Sequence, residues 1–159
     1  MRSIRAIVAA VVLLMWPLAA TASANEKALV QTFYEFLSNP ASKDHAAAFK
    51  SATVEDWESI GDYSGATKSR DKFLAQVAGF GELIPDLNWA VEEMIQEGNR
   101  VVVRSRATGT PVGPLFGVDG NGKSFDILTI DIHTVEGGKI VRSYHVEDWA
   151  GALRQLNAK

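Results

Sequence analysis

The order of apolar and polar positions divides the chain into a helical first part and a β-rich second part. Asn25 to Leu37 carries Leu29, Val30, Phe33, Phe36 and Leu37 at the 3.6-residue recurrence of one helix face. Asn25 is the expected N-cap. Ser38-Asn39-Pro40 ends the segment, because the residue before a proline is pushed out of the helical region. A shorter helix is expected at Ala46 to Phe49. Val54 to Ile60, with Trp57, reads as irregular or briefly extended, and Gly61 to Thr67 as a loop. Ser69-Arg70-Asp71 opens a third helix with Phe73, Leu74 and Val77 on its apolar face and Gly79 to Gly81 at its end.

Two-residue alternation takes over at Leu87 to Ile95, where Trp89, Val91, Glu93 and Ile95 alternate with Asn88, Ala90, Glu92 and Met94. Glu97-Gly98-Asn99 reads as a turn, Arg100 to Thr110 as a long strand, and Pro111 to Gly122 as a glycine-rich loop. Ser124 to Trp149 then reads as two strands around Glu136-Gly137-Gly138-Lys139, since two glycines suit the positive φ of a two-residue hairpin turn. Asp148 to Leu156 is a short closing helix with Asp148 available as its cap. Helices first and four long antiparallel strands after them predict an α+β domain.

The hairpin threads polar groups through its apolar residues. A tight turn pairs Glu136 with Lys139, Asp131 with Tyr144 and Ile130 with His145. Asp131, His133, Val135, Ile140, Arg142, Tyr144 and Val146 then share one face, which Asp148 continues. Ile130, Ile132, Thr134, Val141, Ser143 and His145 share the other, and one bulge would bring His145 across. The hairpin is therefore expected to wall a pocket.

Met1 to Ala24 has the form of a secretory leader: Arg2 and Arg5, an apolar run from Ala6 to Leu18, and Ala22-Ser23-Ala24 as a cleavage site. The apolar run is short for a membrane span of about 20 residues. Cleavage after Ala24 and a periplasmic or secreted protein with no stable membrane anchor are expected. Residues 25–159 form one domain, about 135 residues long. The chain has no cysteine, which excludes disulfides and thiolate chemistry. Its net charge is −3, and about −5 without the two leader arginines, so nucleic acid is not an expected partner.

Gly109-Thr110, Gly113, Phe116-Gly117, Gly122-Lys123, Asp131-Ile132, Gly138-Lys139-Ile140-Val141, Tyr144 and Asp148 together resemble the SnoaL-like polyketide cyclases. These are also called ester cyclases and belong to the nuclear-transport-factor-2-like superfamily. The resemblance covers nearly all of residues 25–159. It implies a cone-shaped α+β barrel: three N-terminal helices packed in a curved antiparallel sheet, a short C-terminal helix and an internal pocket. It also implies a homodimer through the sheet, and ring closure by an acidic residue without cofactor or metal. The family ends in Trp, three residues, then Asp. Here Tyr144 and Asp148 stand at those places, so the resemblance assigns proton transfer to Asp148. Pro111 stands where the cyclases have His after Gly-Thr, which with Tyr144 implies a substrate unlike that of the antibiotic cyclases.

The residues themselves support the same kind of chemistry. Asp131 lies between Ile130 and Ile132, where burial would raise its pKa toward neutrality. Its alternative is a surface ion pair with Arg104 or Arg142. Asp148 is either acid or cap. His133 and His145 are able to orient or relay a proton, and Tyr144 to donate to an enolate oxygen. Phe33, Trp57, Phe80, Trp89, Phe116 and Trp149 are aromatic groups either for a pocket wall or for filling the core. His133, His145, Asp131 and Asp148 do not make a metal set in this register, because the two histidines fall on opposite faces. The expected function is cofactor-independent acid/base catalysis on a small apolar carbonyl compound. The alternative is a periplasmic protein that binds a small hydrophobic molecule without catalysis.

Overall fold

The structure is a computed structural model that describes residues 17–65 and 67–158, with side chains from residue 25 onward. Residues 1–16, most of the expected leader, lie outside the described residues. The elements run α1 (Pro17–Ser38), α2 (Lys43–Ala52), β1 (Thr53–Ile60), β2 (Lys68–Ser69), α3 (Arg70–Leu83), β3 (Asn88–Glu97), β4 (Arg100–Gly109), β5 (Phe125–Glu136), β6 (Lys139–Glu147) and α4 (Trp149–Leu156).

The helices follow their apolar faces. In α1, Val30, Phe33, Tyr34, Phe36 and Leu37 are buried. The helix begins upstream of Asn25, which is therefore not its cap, because the alanine-rich residues before it are strong helix formers. Ser42 caps α2, which is longer than the expected Ala46–Phe49. Ser69 caps α3, which continues past Gly79 and Gly81 to Leu83. Gly81 serves close packing there rather than helix termination: a Cβ on it would stand 2.7 Å from Pro40 Cγ.

The sheet differs from expectation in two ways. It has six strands in the order β2-β1-β6-β5-β4-β3. It is mixed, because Val54 to Ile60 belongs to a full strand, β1, that pairs in parallel with β6 (Ser59 opposite Ser143, Ile60 opposite Tyr144). The remaining pairings are antiparallel. The helices pack against this sheet, α1 along β3, α3 against β1 and α4 against β5. Phe33, Phe36, Phe49, Trp57 and Phe73 form the centre of the core with ring centroids 5.0–6.4 Å apart.

The second difference decides the site. Gly137 and Gly138 turn with φ of 55° and 74°, and Glu136 faces Lys139 as expected. Val135 faces Ile140, but Thr134 faces Arg142, so Val141 is an extra residue in β6. Beyond this bulge Asp131 pairs with His145 and Ile132 with Tyr144. The expected Asp131–Tyr144 pairing is corrected: Ser143, His145 and Glu147 join Asp131 and His133 on the helix-covered face, and Tyr144 moves to the outer one. The outer face carries ion pairs between Arg106 and Asp126, Arg104 and Glu93, and Arg142 and Glu58, with Leu128 and Val146 exposed between them.

Candidate active site

A cavity of about 230 Å³ lies between the inner sheet face and the helices. Phe33 and Leu37 of α1, Phe73, Val77 and Phe80 of α3, and Leu87, Trp89 and Trp149 give it an apolar, largely aromatic lining. Asp131, His145 and Glu147 form its polar wall. Gly61, Asp62, Lys68 and Gln76 complete the lining.

Asp131 is 3% exposed, in the middle of β5. Its Oδ2 accepts a hydrogen bond from the Tyr34 hydroxyl at 2.9 Å. No hydrogen bond among the described residues occupies Oδ1, which is also not among the sealed, unpaired atoms, so this oxygen faces the cavity. Burial, with the neighbouring Glu147 carboxylate, pushes Asp131 up to about 7, against the Tyr34 hydrogen bond and His145, which pull it down. Burial and the Asp131 charge hold the Tyr34 phenol well above its ordinary value, so it stays protonated.

Tyr34 also meets His133 Nε2 at 2.8 Å, and His133 Nδ1 meets Ser143 Oγ at 2.8 Å. Trp57 Nε1 donates to the same Ser143 oxygen at 3.1 Å. Burial, and secondarily His145, pushes His133 down to about 3, so it is a neutral imidazole. Ser105 of β4 lies beside the Tyr34 hydroxyl, and its own hydroxyl is otherwise unpaired.

A second group runs along the end of β6. His145 Nδ1 donates to Glu147 Oε1 at 2.7 Å, and Trp149 Nε1 donates to Glu147 Oε2 at 3.2 Å. His145 Nε2 meets Ser59 Oγ at 2.9 Å. Ser59 is 2% exposed and does not line the cavity, so this trio orients the imidazole rather than presenting a serine nucleophile. Gly61 makes room for the ring: a Cβ there would stand 2.7 Å from His145 Cε1.

The structure thus brings Asp131, His145 and Trp89 to the cavity and seats His133 behind it. The other expected site residues lie elsewhere. Asp148 caps α4, its Oδ1 accepting from Gly151 N at 2.7 Å, and it does not line the cavity. Tyr144 lies in an outer groove with Ile130, Ile132 and Val146, where the bulge sends it. Trp57 is sealed in the core. Phe116 is 57% exposed and rests on Phe80 and Trp149 rather than lining the cavity. Sequence reasoning missed Tyr34, Ser143 and Ser59 as site residues, and left Glu147 unassigned. A bulge in β6 would have placed Ser143 and Glu147 beside His145. Among the described residues, no three His, Asp or Glu side chains gather as a metal set.

Four helices packed on a six-stranded mixed sheet, with a polar wall set inside, define a nuclear-transport-factor-2-like, ketosteroid-isomerase-like fold. The chain belongs to the SnoaL-like polyketide cyclase family, whose sequence model matches residues 28–156. Among similar structures is a protein from Jannaschia sp. CCS1 described as a SnoaL-like polyketide cyclase. It is 22% identical at a TM-score of 0.74, and the match covers 86% of this chain and 94% of that one. IdmH from Streptomyces antibioticus, described as a polyketide cyclase, is 21% identical at a TM-score of 0.72, covering 84% and 99%. A ketosteroid-isomerase-like protein from Catenulispora acidiphila DSM 44928, solved with trimethylamine, is 14% identical at 0.64, covering 82% and 93%. These likenesses show the fold. No curated protein matches the chain significantly in sequence.

Proposed function

We propose that this protein is a cofactor-independent acid/base enzyme that moves a proton at the α-carbon of a small, apolar carbonyl compound, with Asp131 as the proton-transfer residue. The observation that carries the reading is the Asp131 carboxyl, buried in an aromatic cavity, with one oxygen held by Tyr34 and the other facing the cavity. Its pKa of about 7 suits both taking and returning a proton near neutrality. In the proposed step Asp131 Oδ1 takes the α-proton and the C–H pair becomes the enolate double bond. The enolate then recovers the proton at another carbon, or attacks a second carbonyl of the same molecule, whose alkoxide takes the proton back from Asp131. Lys68 is the cationic side chain in the lining available to the enolate oxygen. The cavity, about 230 Å³, suits a molecule of one or two rings.

The test uses 2-tetralone and 2-indanone in deuterated water, with NMR following α-hydrogen exchange. Wild type accelerates exchange, and Asp131→Asn lowers the rate by roughly 10²- to 10⁴-fold while leaving the fold intact. Equal exchange by the two proteins removes Asp131 from the role. A second reading, ligand binding without catalysis, draws on His145 and Glu147, whose hydrogen bonds are spent on each other, Ser59 and Trp149. It requires a small apolar molecule to co-purify unchanged, read by native mass spectrometry.

The proposal includes export. The leader composition supports cleavage after Ala24 and a periplasmic or secreted mature protein, which intact mass of the exported form tests. It also includes a homodimer through the outer sheet face, supported by exposed Leu128 and Val146 and tested by light scattering.

A further inference from the structure

The hydrogen bonds behind Asp131 have a direction that donor chemistry fixes. An indole N–H donates and cannot accept, so Trp57 gives its hydrogen to Ser143 Oγ. Ser143 has one hydrogen and one remaining partner, His133 Nδ1. Nδ1 is therefore the acceptor, and the single proton of the neutral imidazole lies on Nε2. That N–H donates to the Tyr34 oxygen, and the Tyr34 hydrogen goes to Asp131 Oδ2. From β1 through β6, β5 and α1, every polar hydrogen is used and points toward Asp131.

We propose that this one-way chain keeps Asp131 Oδ2 an acceptor, so that the titrating proton of Asp131 is carried on Oδ1, the oxygen facing the cavity. Trp57, Ser143 and His133 are then positioning residues, acting on the reacting oxygen through Tyr34 without touching a substrate. Reversal is disfavoured. A proton on Oδ2 would turn the Tyr34 hydrogen away. Ser105 Oγ, beside it, lies outside hydrogen-bond geometry. The hydrogen would therefore go to His133 Nε2, move the imidazole proton to Nδ1, and leave the Ser143 hydrogen facing the Trp57 N–H. Ser143 is 1% exposed, so water would not take that hydrogen up. The use of this proton in catalysis rests on the function proposed above, whereas the direction of the chain does not.

The test needs no substrate. The full-length or processed protein is labelled with ¹⁵N and ¹³C, and imidazole tautomers are read by long-range ¹⁵N–¹H correlation on both sides of neutrality. His133 is assigned by elimination with His45→Gln and His145→Gln. The Asp131 carboxyl carbon is followed in the same samples. It titrates in the field of Tyr34 from α1, with His133 behind it, and of His145 and Glu147 from β6. The expected result is the Nε2–H tautomer of His133 on both sides of the Asp131 titration. An Nδ1–H tautomer, or a switch to it as Asp131 takes up its proton, overturns the proposal. Ser143→Ala supplies a second reading. Loss of the donor to Nδ1 weakens each later bond in the chain, and Asp131 binds its proton roughly twofold more tightly. An unmoved Asp131 titration in a folded Ser143→Ala protein also overturns it. Absence of ketone exchange by wild type would sink the enzyme reading and leave this result standing.

Discussion

Replacing Asp131 by Asn has a consequence for stability that follows from the carboxyl's surroundings alone. The carboxyl ionises at about 7 in the folded protein and near 3.8 when unfolded. Across that window the folded protein holds a proton that the unfolded chain has released. This group's contribution is therefore complete below pH 3.8, falls as the pH rises through the window, and is lost above about 7. One pKa unit corresponds to about 1.4 kcal/mol, so ionising Asp131 in place costs the folded state about 4 kcal/mol. His133 works in the opposite sense. Neutral in the folded protein down to about 3, and with an ordinary value of 6.5, it destabilises the fold as the pH drops below 6.5. Between about pH 4 and 6.5 the two slopes oppose each other, and wild type shows little net dependence from this pair. Asn is the shape of the neutral carboxyl and still accepts from Tyr34. Urea unfolding, followed by tryptophan fluorescence at a series of pH values, gives the difference between Asp131→Asn and wild type, from which His133 and the surface groups cancel. That difference should climb by about 1.4 kcal/mol per pH unit in favour of the variant and level off above about pH 7. A constant offset at every pH would refute the placement of Asp131 as a buried carboxyl near neutrality.

Three further outcomes follow from the same geometry. Tyr34→Phe removes the donor on Oδ2, so the Asp131 titration moves up by about one pH unit, read from its carboxyl carbon; an unchanged titration would mean that the bond is not formed in solution. Gly61→Ala drives a methyl into His145 Cε1, which costs roughly 1–3 kcal/mol in urea unfolding and displaces the His145 ring signals; a neutral substitution would place the ring elsewhere. Asp148→Ala removes the cap of α4 and costs about 1 kcal/mol, while ketone exchange persists; loss of exchange in a folded Asp148→Ala protein would restore Asp148 to the chemistry.

Most of the fold can be read from the chain, and the reasons are local. The glycine pair at 137 and 138 stands between apolar runs, and Ser42 and Ser69 are standard caps, so the elements around them follow from short-range signals. β1 was not legible as a strand because its chemistry is split: Glu55, Asp56 and Glu58 are exposed or half-exposed, while its partner β6 lies some eighty residues away and pairs in parallel. The site was half legible. Asp131 stands out as a carboxyl between isoleucines, and its burial follows. Tyr34 does not stand out, because it sits within the aromatic stripe of α1 and becomes polar machinery only when β5 brings Asp131 and His133 to its hydroxyl. Glu147, left unassigned, and Asp148, given the chemistry, differ by one position: one ends the strand at the cavity, and the next turns to cap the helix. Local chemistry treats the two acids alike, and only the register separates them.

The bulge at Val141 sets the phase of everything after it in the chain. Upstream lies a turn whose geometry is fixed by its glycines, and downstream lies a reading frame of side chains, in or out, determined by a single count. Taking Val141 into the ladder with the turn kept would set Asp131 opposite Tyr144 and exchange the two sets. Arg142, Tyr144 and Val146 would then enter the cavity, and Ser143, His145 and Glu147 would leave it, with no residue changed. Deleting Val141 would instead keep Asp131 opposite His145 and remove only the bulge. The chain thus encodes two different interiors one residue apart, and chemistry in such a scaffold is set by register as much as by composition.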